Sequence, residues 1–300
     1  MRFRVAVLLS VILLAAACGG APTPITDISP TPLVTLPADE GPHDSVIEWW
    51  YFNGLLTDDR GQEYSYHYVT FQGEAVGAAV PHLLQASLGD HKAGRHLTGE
   101  KILLGSLDPD AAGVDAAVNG WVMQGDGEIY SLDFELGDYS LKLTAVSTKP
   151  PVLHQGSGLV HLGPAGDTFY YSRPRLDVKG VITVNEEQRP VSGSAWMDHQ
   201  WGDVVGQRMG WDWTSLQLDD GSDLMAVLVW DPTDRAPFAG YGTLVAPDGS
   251  AVTLEQNGVF ISPISGAGSG AIGLGICRQL LHTGRLLGRG GSGGWYSSGP

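Results

Sequence analysis

Trp196-Met197-Asp198-His199-Gln200-Trp201-Gly202-Asp203 is the stretch of this chain that decides the fold. In an extended strand, successive side chains point to opposite faces. One face therefore carries Trp196, Asp198 and Gln200, and the other carries Met197, His199 and Trp201. Two interpretations follow. Either the second face presents an imidazole and an indole to a cavity, or the tryptophans are core residues and His199 is a hydrogen-bonded histidine beneath them.

The N-terminus predicts export and a lipid anchor. Arg2 and Arg4 precede a short apolar run that ends in small residues before Cys18, as in a secretory signal. Leu14-Ala15-Ala16-Ala17-Cys18 resembles a bacterial lipobox, with Ala15 where Leu is usual. Lipidation of Cys18 would tether the protein to the cell envelope without spanning the membrane. The alternative is an ordinary signal peptide with an incidental cysteine.

Composition favours an acidic, all-β protein. The formal net charge is −16, and several of the basic residues lie in the signal and in the last forty residues. A body this acidic excludes binding of nucleic acid through phosphate neutralisation. Cys277 is the only other cysteine, so no disulfide framework is expected. High glycine content, many aromatic residues and short alternating runs indicate antiparallel strands.

An internal repeat predicts two similar domains in tandem. The pattern Trp50, Phe52, Leu55, Asp58, Asp59 recurs as Trp211, Trp213, Leu216, Asp219, Asp220. Each copy then reaches a glycine and enters a second strand, as a hairpin does. In the first copy, Tyr64, Tyr66 and Tyr68 share one face of that second strand, and His67 lies on the other.

We divide the chain into a signal peptide (1–18), a flexible tether (19–42), an N-terminal domain (43–190), a C-terminal domain (191–261) and a tail (262–300). The C-terminal domain supplies about five strands, whereas a small closed barrel needs about eight, so it is predicted to be incomplete. The tail has no acidic residue and much glycine. We interpret it as a segment outside the fold. The alternative is a basic helix at 276–287 that covers the open edge.

Three sequence blocks resemble the AttH and carotenoid 1,2-hydratase family. They are Glu48-Trp49-Trp50-Tyr51 with Gly54, then Phe169 to Leu176, then Gly193 to Gly202. The resemblance implies two lipocalin-like β-barrels enclosing an apolar cavity. It also implies addition of water to an acyclic carotenoid without a redox cofactor. Family proposals for catalysis match His199 and Trp201, and they include an acid on a following strand, for which Asp231 is the nearest candidate. An aromatic neighbour of that acid is Trp230 here, where the family has Tyr.

The chemistry of hydration points to the same region. Protonating an alkene carbon needs an acid that stays protonated near neutral pH, and burial beside apolar rings raises the pKa of a carboxyl group. Indole faces stabilise the resulting cation. Asp231 or Asp198 is the predicted proton donor, and His199 would orient the water or take its proton. Trp201, Trp211 and Trp213 would surround the cation.

Further residues are assigned to the ligand site. The predicted ligand-binding residues are Glu48, Trp50, Tyr66, His67, Trp196, Trp211 and Trp213. Glu48 has an alternative role, as a structural carboxylate that accepts hydrogen bonds from the backbone, Arg173 or Arg175. No cofactor is predicted. No metal site is predicted either, because Asp198 and Asp203 flank His199 without a third strong ligand.

Two functions from different classes remain open. One is a tethered, cofactor-free hydro-lyase that acts on an isoprenoid-like chain. The other is a carrier that holds an isoprenoid or lipid at the cell surface and does no chemistry. The expected pocket lies at the domain interface, where ligand sites are common.

Overall fold

A computed structural model describes residues 30–105, 111–204 and 209–255, together with the backbone of strands 259–263, 272–276 and 295–298. Apart from 3₁₀ turns at Ala38–Glu40 and Gly163–Ala165, its regular elements are strands. In chain order they are β1 (Ile47–Asp58), β2 (Glu63–Gly73), β3 (Val80–Asp90), β4 (Arg95–Gly105), β5 (Val114–Val118), β6 (Trp121–Gly125), β7 (Ile129–Leu136), β8 (Tyr139–Ser147), β9 (Val152–Leu153), β10 (Leu159–His161), β11 (Asp167–Val184), β12 (Glu187–Gly202), β13 (Gly210–Gln217), β14 (Asp223–Trp230), β15 (Pro237–Val245), β16 (Ala251–Glu255), β17 (Val259–Pro263), β18 (Ile272–Ile276) and β19 (Trp295–Ser298).

The first sheet is a nearly closed antiparallel barrel. Its strand order is β4-β3-β2-β1-β12-β11-β8-β7-β6-β5, and the two end strands β4 and β5 approach each other. Alternate residues of every long strand face inward, so Phe52, Tyr66, Trp121 and Phe134 lie in one buried core. The barrel interior holds packed side chains, many of them aromatic. The hollow that the family resemblance implied is not seen inside the part of the barrel that the structure describes.

The second sheet is smaller and open, with strand order β16-β15-β14-β13-β19. It packs against the outer face of the barrel around Tyr170, Trp196, Trp213 and Tyr241. One nearly closed barrel and one open sheet agree with the predicted pair of lipocalin-like β domains of which the second is incomplete.

The repeat corresponds to two hairpins with the same turn. In the β1–β2 turn, Asp58 N–H donates to Gln62 O and Gly61 N–H donates to Asp58 O. The β13–β14 turn repeats this pattern with Leu218, Ser222 and Gly221. Both glycines have positive φ, which the turn requires.

The sheet pairing corrects the predicted domain boundary. β12 pairs with β1 on one side and β11 on the other, so it is a strand of the barrel. The predicted boundary between residues 190 and 191 therefore falls inside β12, and residues 191–202 belong to the barrel and not to the second sheet. Local sequence did not reveal this, because β12 pairs with a strand about 150 residues earlier in the chain.

The tail contributes to β structure, contrary to the interpretation of 262–300 as a segment outside the fold. β18 pairs with β17, and β19 pairs with β13 at the edge of the second sheet. Nearly all of the alternative helix at 276–287 lies outside the described residues, and its first residue, Ile276, ends β18.

Candidate functional site

The two faces of β12 present two different buried polar clusters. Met197 and Trp201 belong to the barrel core, and His199 on the same face is fully buried. Trp196 belongs to the core between the sheets, and Asp198 on that face is 4% exposed. The predicted alternation is confirmed. Consecutive residues therefore serve separate sites.

The barrel face holds the histidine–glutamate cluster, which consists of His43, Glu48 and His199. Glu48 Oε1 lies 2.7 Å from His199 Nε2 and 2.8 Å from His43 Nδ1. Glu48 Oε2 accepts the backbone N–H of His43 at 2.7 Å and Gln72 Nε2–H at 3.1 Å. Strand register explains this grouping, because Glu48 pairs with Trp201 across β1 and β12, beside His199.

The histidine partners of Glu48 favour the ionised form of its carboxyl group. Burial would raise the pKa of Glu48, but its contacts with the His199 and His43 side chains and with the backbone N–H of His43 outweigh burial and hold that pKa below its usual value. Burial lowers the pKa of His199, and the opposing effect of Glu48 does not reverse the shift. This cluster thus combines an ionised carboxylate with an imidazole that loses its proton readily.

Two indoles cover the cluster. Trp50 stacks on His199 with ring centroids 4.5 Å apart, and Trp201 stacks on His43 at 3.9 Å with an angle of 3° between the rings. His43 keeps 23% of its side chain exposed, whereas Glu48 and His199 are fully buried. Solvent therefore reaches the cluster from the His43 side.

A second layer supports His199 from the opposite side. His199 Nδ1 lies 3.1 Å from the hydroxyl of Tyr171, its cross-strand neighbour on β11. That hydroxyl donates to Glu40 Oε2, and the guanidinium of Arg173 donates to Glu40 Oε1. Arg173 therefore pairs with Glu40 instead of Glu48, the alternative partner considered from the sequence.

The opposite face of β12 holds the Asp198 cluster, which consists of Asp198, Ser172, His154, Trp196 and Tyr170. Asp198 Oδ1 accepts Trp196 Nε1–H at 2.6 Å and the hydroxyl of Ser172. Burial raises the pKa of Asp198 to about 7, although hydrogen bonds from Ser172, Trp196 and Tyr170 oppose the shift. Near neutral pH this carboxyl therefore carries a proton much of the time.

A directional chain of hydrogen bonds ends on Asp198. Because the Ser172 hydroxyl donates to Asp198, His154 Nε2–H donates to Ser172 Oγ at 2.7 Å. His154 Nδ1 then accepts the Thr243 hydroxyl at 2.8 Å. Burial lowers the pKa of His154 to about 3, which keeps the ring neutral, as this pattern of donors requires.

A cavity of about 440 Å³ lies between the sheets, next to the Asp198 cluster. Its barrel side includes Asn53, Leu55 and Trp196, and its other side includes Ser215 and Gln217 of β13. The side-chain amide nitrogen of Asn53, Nδ2, is buried. Trp196 separates the cavity from Asp198, since its ring lines the cavity and its Nε1 holds the carboxyl.

Asp231 is not a buried acid, and its predicted role as proton donor is wrong. It is exposed in the turn after β14, where Oδ1 accepts the backbone N–H of Thr233 at 2.8 Å. That hydrogen bond lowers the pKa of Asp231, the reverse of what a proton donor needs. The residues predicted to act together occupy three places: His199 and Trp201 in the barrel, Asp198 between the sheets, and Asp231 at the surface.

The predicted ligand-binding residues divide in the same way. Glu48 and Trp50 belong to the barrel side, and Tyr66 is buried deep in the barrel core. Trp196, Trp211 and Trp213 lie between the sheets. His67 is on the outer face of β2, near Tyr51 and hydrogen-bonded to Ser87 at 3.1 Å. The expected ring of Trp201, Trp211 and Trp213 around one cation does not form.

Sequence reasoning missed His43, His154 and Ser172. His43 is the first residue after the predicted tether. It lies only five residues before Glu48, and its Nδ1 is 2.8 Å from the Glu48 carboxylate. Ser172 lies in a block quoted for the family resemblance, two residues after Tyr170. His154 follows Pro150-Pro151, in a segment without a recognisable motif.

Cys18 and the predicted signal and anchor lie outside the described residues. Within the part of the chain that the structure describes, no helix combines the length and the apolar character needed to cross a bilayer.

Comparisons with known proteins agree with the fold. The family described as AttH-like matches residues 27–272. A crystal structure assigned to AttH from Nitrosomonas europaea is similar with a TM-score of 0.69 and 28% identity, over 80% of this chain and 79% of that one. Kievitone hydratase from Nectria haematococca is similar with a TM-score of 0.61 and 18% identity, over 80% and 72%. No curated protein matches the chain.

Proposed function

This chain belongs to the AttH-like family, and on that premise we propose that it is a hydro-lyase that adds water to a C=C bond of a bulky, isoprenoid-like molecule. The reaction would resemble that of a carotenoid hydratase. The observation that carries the proposal is Asp198, a carboxyl group buried among aromatic rings beside a cavity between the sheets. A structure named kievitone hydratase shares the fold, which is compatible with this chemistry.

The proposed step is acid catalysis. Asp198 gives its proton to one alkene carbon, the π electrons form the new C–H bond, and the neighbouring carbon becomes a cation. The oxygen of a water molecule then forms the C–O bond, and ionised Asp198 takes back the surplus proton. Hydration is redox-neutral, so the scheme calls for no redox cofactor.

The surroundings of Asp198 suit both halves of this step. Its pKa of about 7 leaves a proton available near neutral pH. Trp196 and Trp213 are nearby in the same core, and an indole face stabilises a desolvated cation by about 1–2 kcal/mol. The chain from Thr243 through His154 and Ser172 holds the carboxyl in place and ends on its Oδ1.

The volume of the cavity suits a ligand of moderate size. Its volume of about 440 Å³ falls in the common range of about 300–1,000 Å³ for ligand pockets. We also propose that lipidation of Cys18 holds the protein at the cell envelope. This part of the proposal rests on the signal-like N-terminus alone.

A carrier without catalysis is the second candidate. The observation that favours it is the position of Trp196, whose ring stands between the cavity and Asp198. A ligand could occupy the cavity without meeting the carboxyl unless this ring rotates.

The test incubates the purified full-length protein with an acyclic carotenoid in ¹⁸O-labelled water, followed by mass spectrometry. We expect a product heavier by one labelled water. Asp198→Asn is the matched variant, since it keeps the size of the side chain and removes the acid. It should lose activity by about 10²- to 10⁴-fold. Binding without a change in mass would select the carrier, and equal activity of Asp198→Asn would eliminate Asp198 as the acid.

A further inference from the structure

The histidine–glutamate cluster takes no part in the proposed reaction, because it faces the barrel while Asp198 faces the second sheet. It is nevertheless a costly arrangement to bury, since Glu48 and His199 are both fully shielded from solvent. The ligand-forming atoms of His43, Glu48 and His199 all lie within 4.8 Å of one another.

The hydrogen bonds between Tyr171, Glu40 and Arg173 determine which ring nitrogen of His199 carries the hydrogen. The Tyr171 hydroxyl donates its proton to Glu40, whose other oxygen is held by Arg173. The hydroxyl oxygen can then only accept from His199 Nδ1, so this ring nitrogen carries the hydrogen. In the neutral imidazole, His199 Nε2 consequently presents a lone pair to Glu48 Oε1 at 2.7 Å.

His43 is arranged in a similar way. Its Nε2 lies 3.6 Å from Asp39 Oδ1, within ion-pair distance, while its Nδ1 is 2.8 Å from Glu48 Oε1. Glu48 Oε2 is held by two N–H donors, from the His43 backbone and Gln72. Glu48 Oε1 is thus the carboxylate oxygen directed at both rings.

This is the pattern of outer-layer contacts that surrounds metal-binding histidines. Such a histidine usually donates its second ring N–H to a carboxylate or another oxygen, which fixes the tautomer and points the free nitrogen at the ion. Tyr171 would serve His199 in this way. Asp39 Oδ1 lies 3.6 Å from His43 Nε2, beyond hydrogen-bond distance, and would have to move closer to serve His43. Two electron-rich atoms facing each other at hydrogen-bond distance also require a cation or a proton between them.

We propose that His43 Nδ1, His199 Nε2 and Glu48 Oε1 form a binding site for a divalent transition-metal ion of the zinc type. Two imidazoles and one carboxylate are a known ligand set for zinc with an open fourth position. Bonds of about 2.0–2.2 Å at tetrahedral angles separate ligand atoms by about 3.4 Å. The ligand atoms must therefore move apart slightly from their present contacts. His43 can make that movement, because it precedes β1 and is partly exposed.

The experiment uses the full-length protein purified without a polyhistidine tag. Metal content is measured by mass spectrometry of the elements, and Co²⁺ is added to the chelator-treated protein to record visible absorption bands. We expect one equivalent of metal per chain and Co²⁺ bands typical of nitrogen and oxygen ligands at low coordination number. Zn²⁺ should also raise the melting temperature.

Variants locate the ion. His43→Ala should abolish binding and is the safest ligand variant, since the side chain is partly exposed. Tyr171→Phe keeps all three ligands and should weaken affinity by about 10- to 100-fold. His161→Ala is the matched control, because it removes an exposed histidine from a histidine–carboxylate pair at 2.7 Å and should bind metal normally.

Two results would overturn the proposal. Absence of metal, of Co²⁺ bands and of any Zn²⁺-dependent shift in melting temperature would mean that a proton shared by His199 and Glu48 resolves their contact. Metal binding that survives His43→Ala and Glu48→Gln in folded protein would place the ion elsewhere. Neither result depends on whether the chain hydrates an alkene.

Discussion

The two faces of β12 bury a carboxyl group each, yet the two groups behave in opposite ways. On the barrel face, Glu48 contacts two imidazoles and receives two further N–H donors, and its pKa falls. On the face between the sheets, Asp198 receives hydrogen bonds from Ser172, Trp196 and Tyr170, and its pKa rises. Burial acts on both, so the difference lies in whether the partners can carry positive charge. Neutral donors do not offset desolvation, whereas imidazoles do.

The largest expected effect is a difference in sign between two matched amide variants. With chelator present and at pH 8, Glu48→Gln should destabilise the protein by about 1–3 kcal/mol, because the N–H donors of His43 and Gln72 lose an ionised acceptor in a buried site. Asp198→Asn should stabilise it by up to about 4 kcal/mol, because the ionised carboxyl is disfavoured in the fold. Urea unfolding measures both free energies. Destabilisation by both variants would show that both carboxyl groups stabilise the folded protein in their ionised form.

The pH dependence of stability sharpens the same contrast. The folded pKa of Asp198 is about 7 against a usual value near 3.8, so between these values the folded state holds a proton that the unfolded state has lost. The Asp198 contribution to stability is therefore largest below about pH 4 and is lost as pH rises towards 7. The difference between wild type and Asp198→Asn should grow over this window and level off above it. A constant difference would contradict the raised pKa.

Ser172→Ala should produce a smaller change. The Ser172 hydroxyl lowers the pKa of Asp198, and a hydrogen bond to a charged group is worth about 1.5–3 kcal/mol, or about 1–2 pKa units. Removing the hydroxyl should shift the alkaline limb of the pH–activity profile upward by about that amount. Ser87→Ala, at a buried serine that is hydrogen-bonded to His67 and lies outside the cavity lining, is the control. A uniform loss of activity at every pH would instead indicate a merely structural role.

Asp231→Asn should have the smallest effect. Its side chain is exposed and holds a turn, so activity should be unchanged and stability should change by less than about 0.5 kcal/mol. Loss of activity with an intact fold would restore Asp231 to the site and weaken the role given to Asp198.

Sequence patterns correctly predicted the features that depend on residues close together in the chain. Alternation placed Asp198 and His199 on opposite faces of β12, and the repeated turn predicted two hairpins, both of which the structure contains. Strand pairing was not predictable in this way, because β1 meets β12 across most of the barrel sequence. The partners of Glu48 and Asp198 depend on that pairing. For this reason the candidate residues could be chosen from the sequence but not grouped into their sites.

The exposed position of Asp231 could have been predicted from the residues that follow it. The sequence Asp231-Pro232-Thr233-Asp234 is typical of a turn in which the first side chain caps a backbone N–H two residues later. Hydrogen bonding of this kind places the carboxyl at the surface. The family resemblance instead suggested a catalytic acid at this position, which the turn signal contradicts.

The pairing of β1 with β12 also has a consequence for biogenesis. During synthesis, β1 emerges long before β12, and β11 likewise waits for the same partner. Until β12 is made, two strand edges remain open to other chains, and pairing across so long a separation is slow. The nascent chain would thus need protection from aggregation until its 202nd residue has been added.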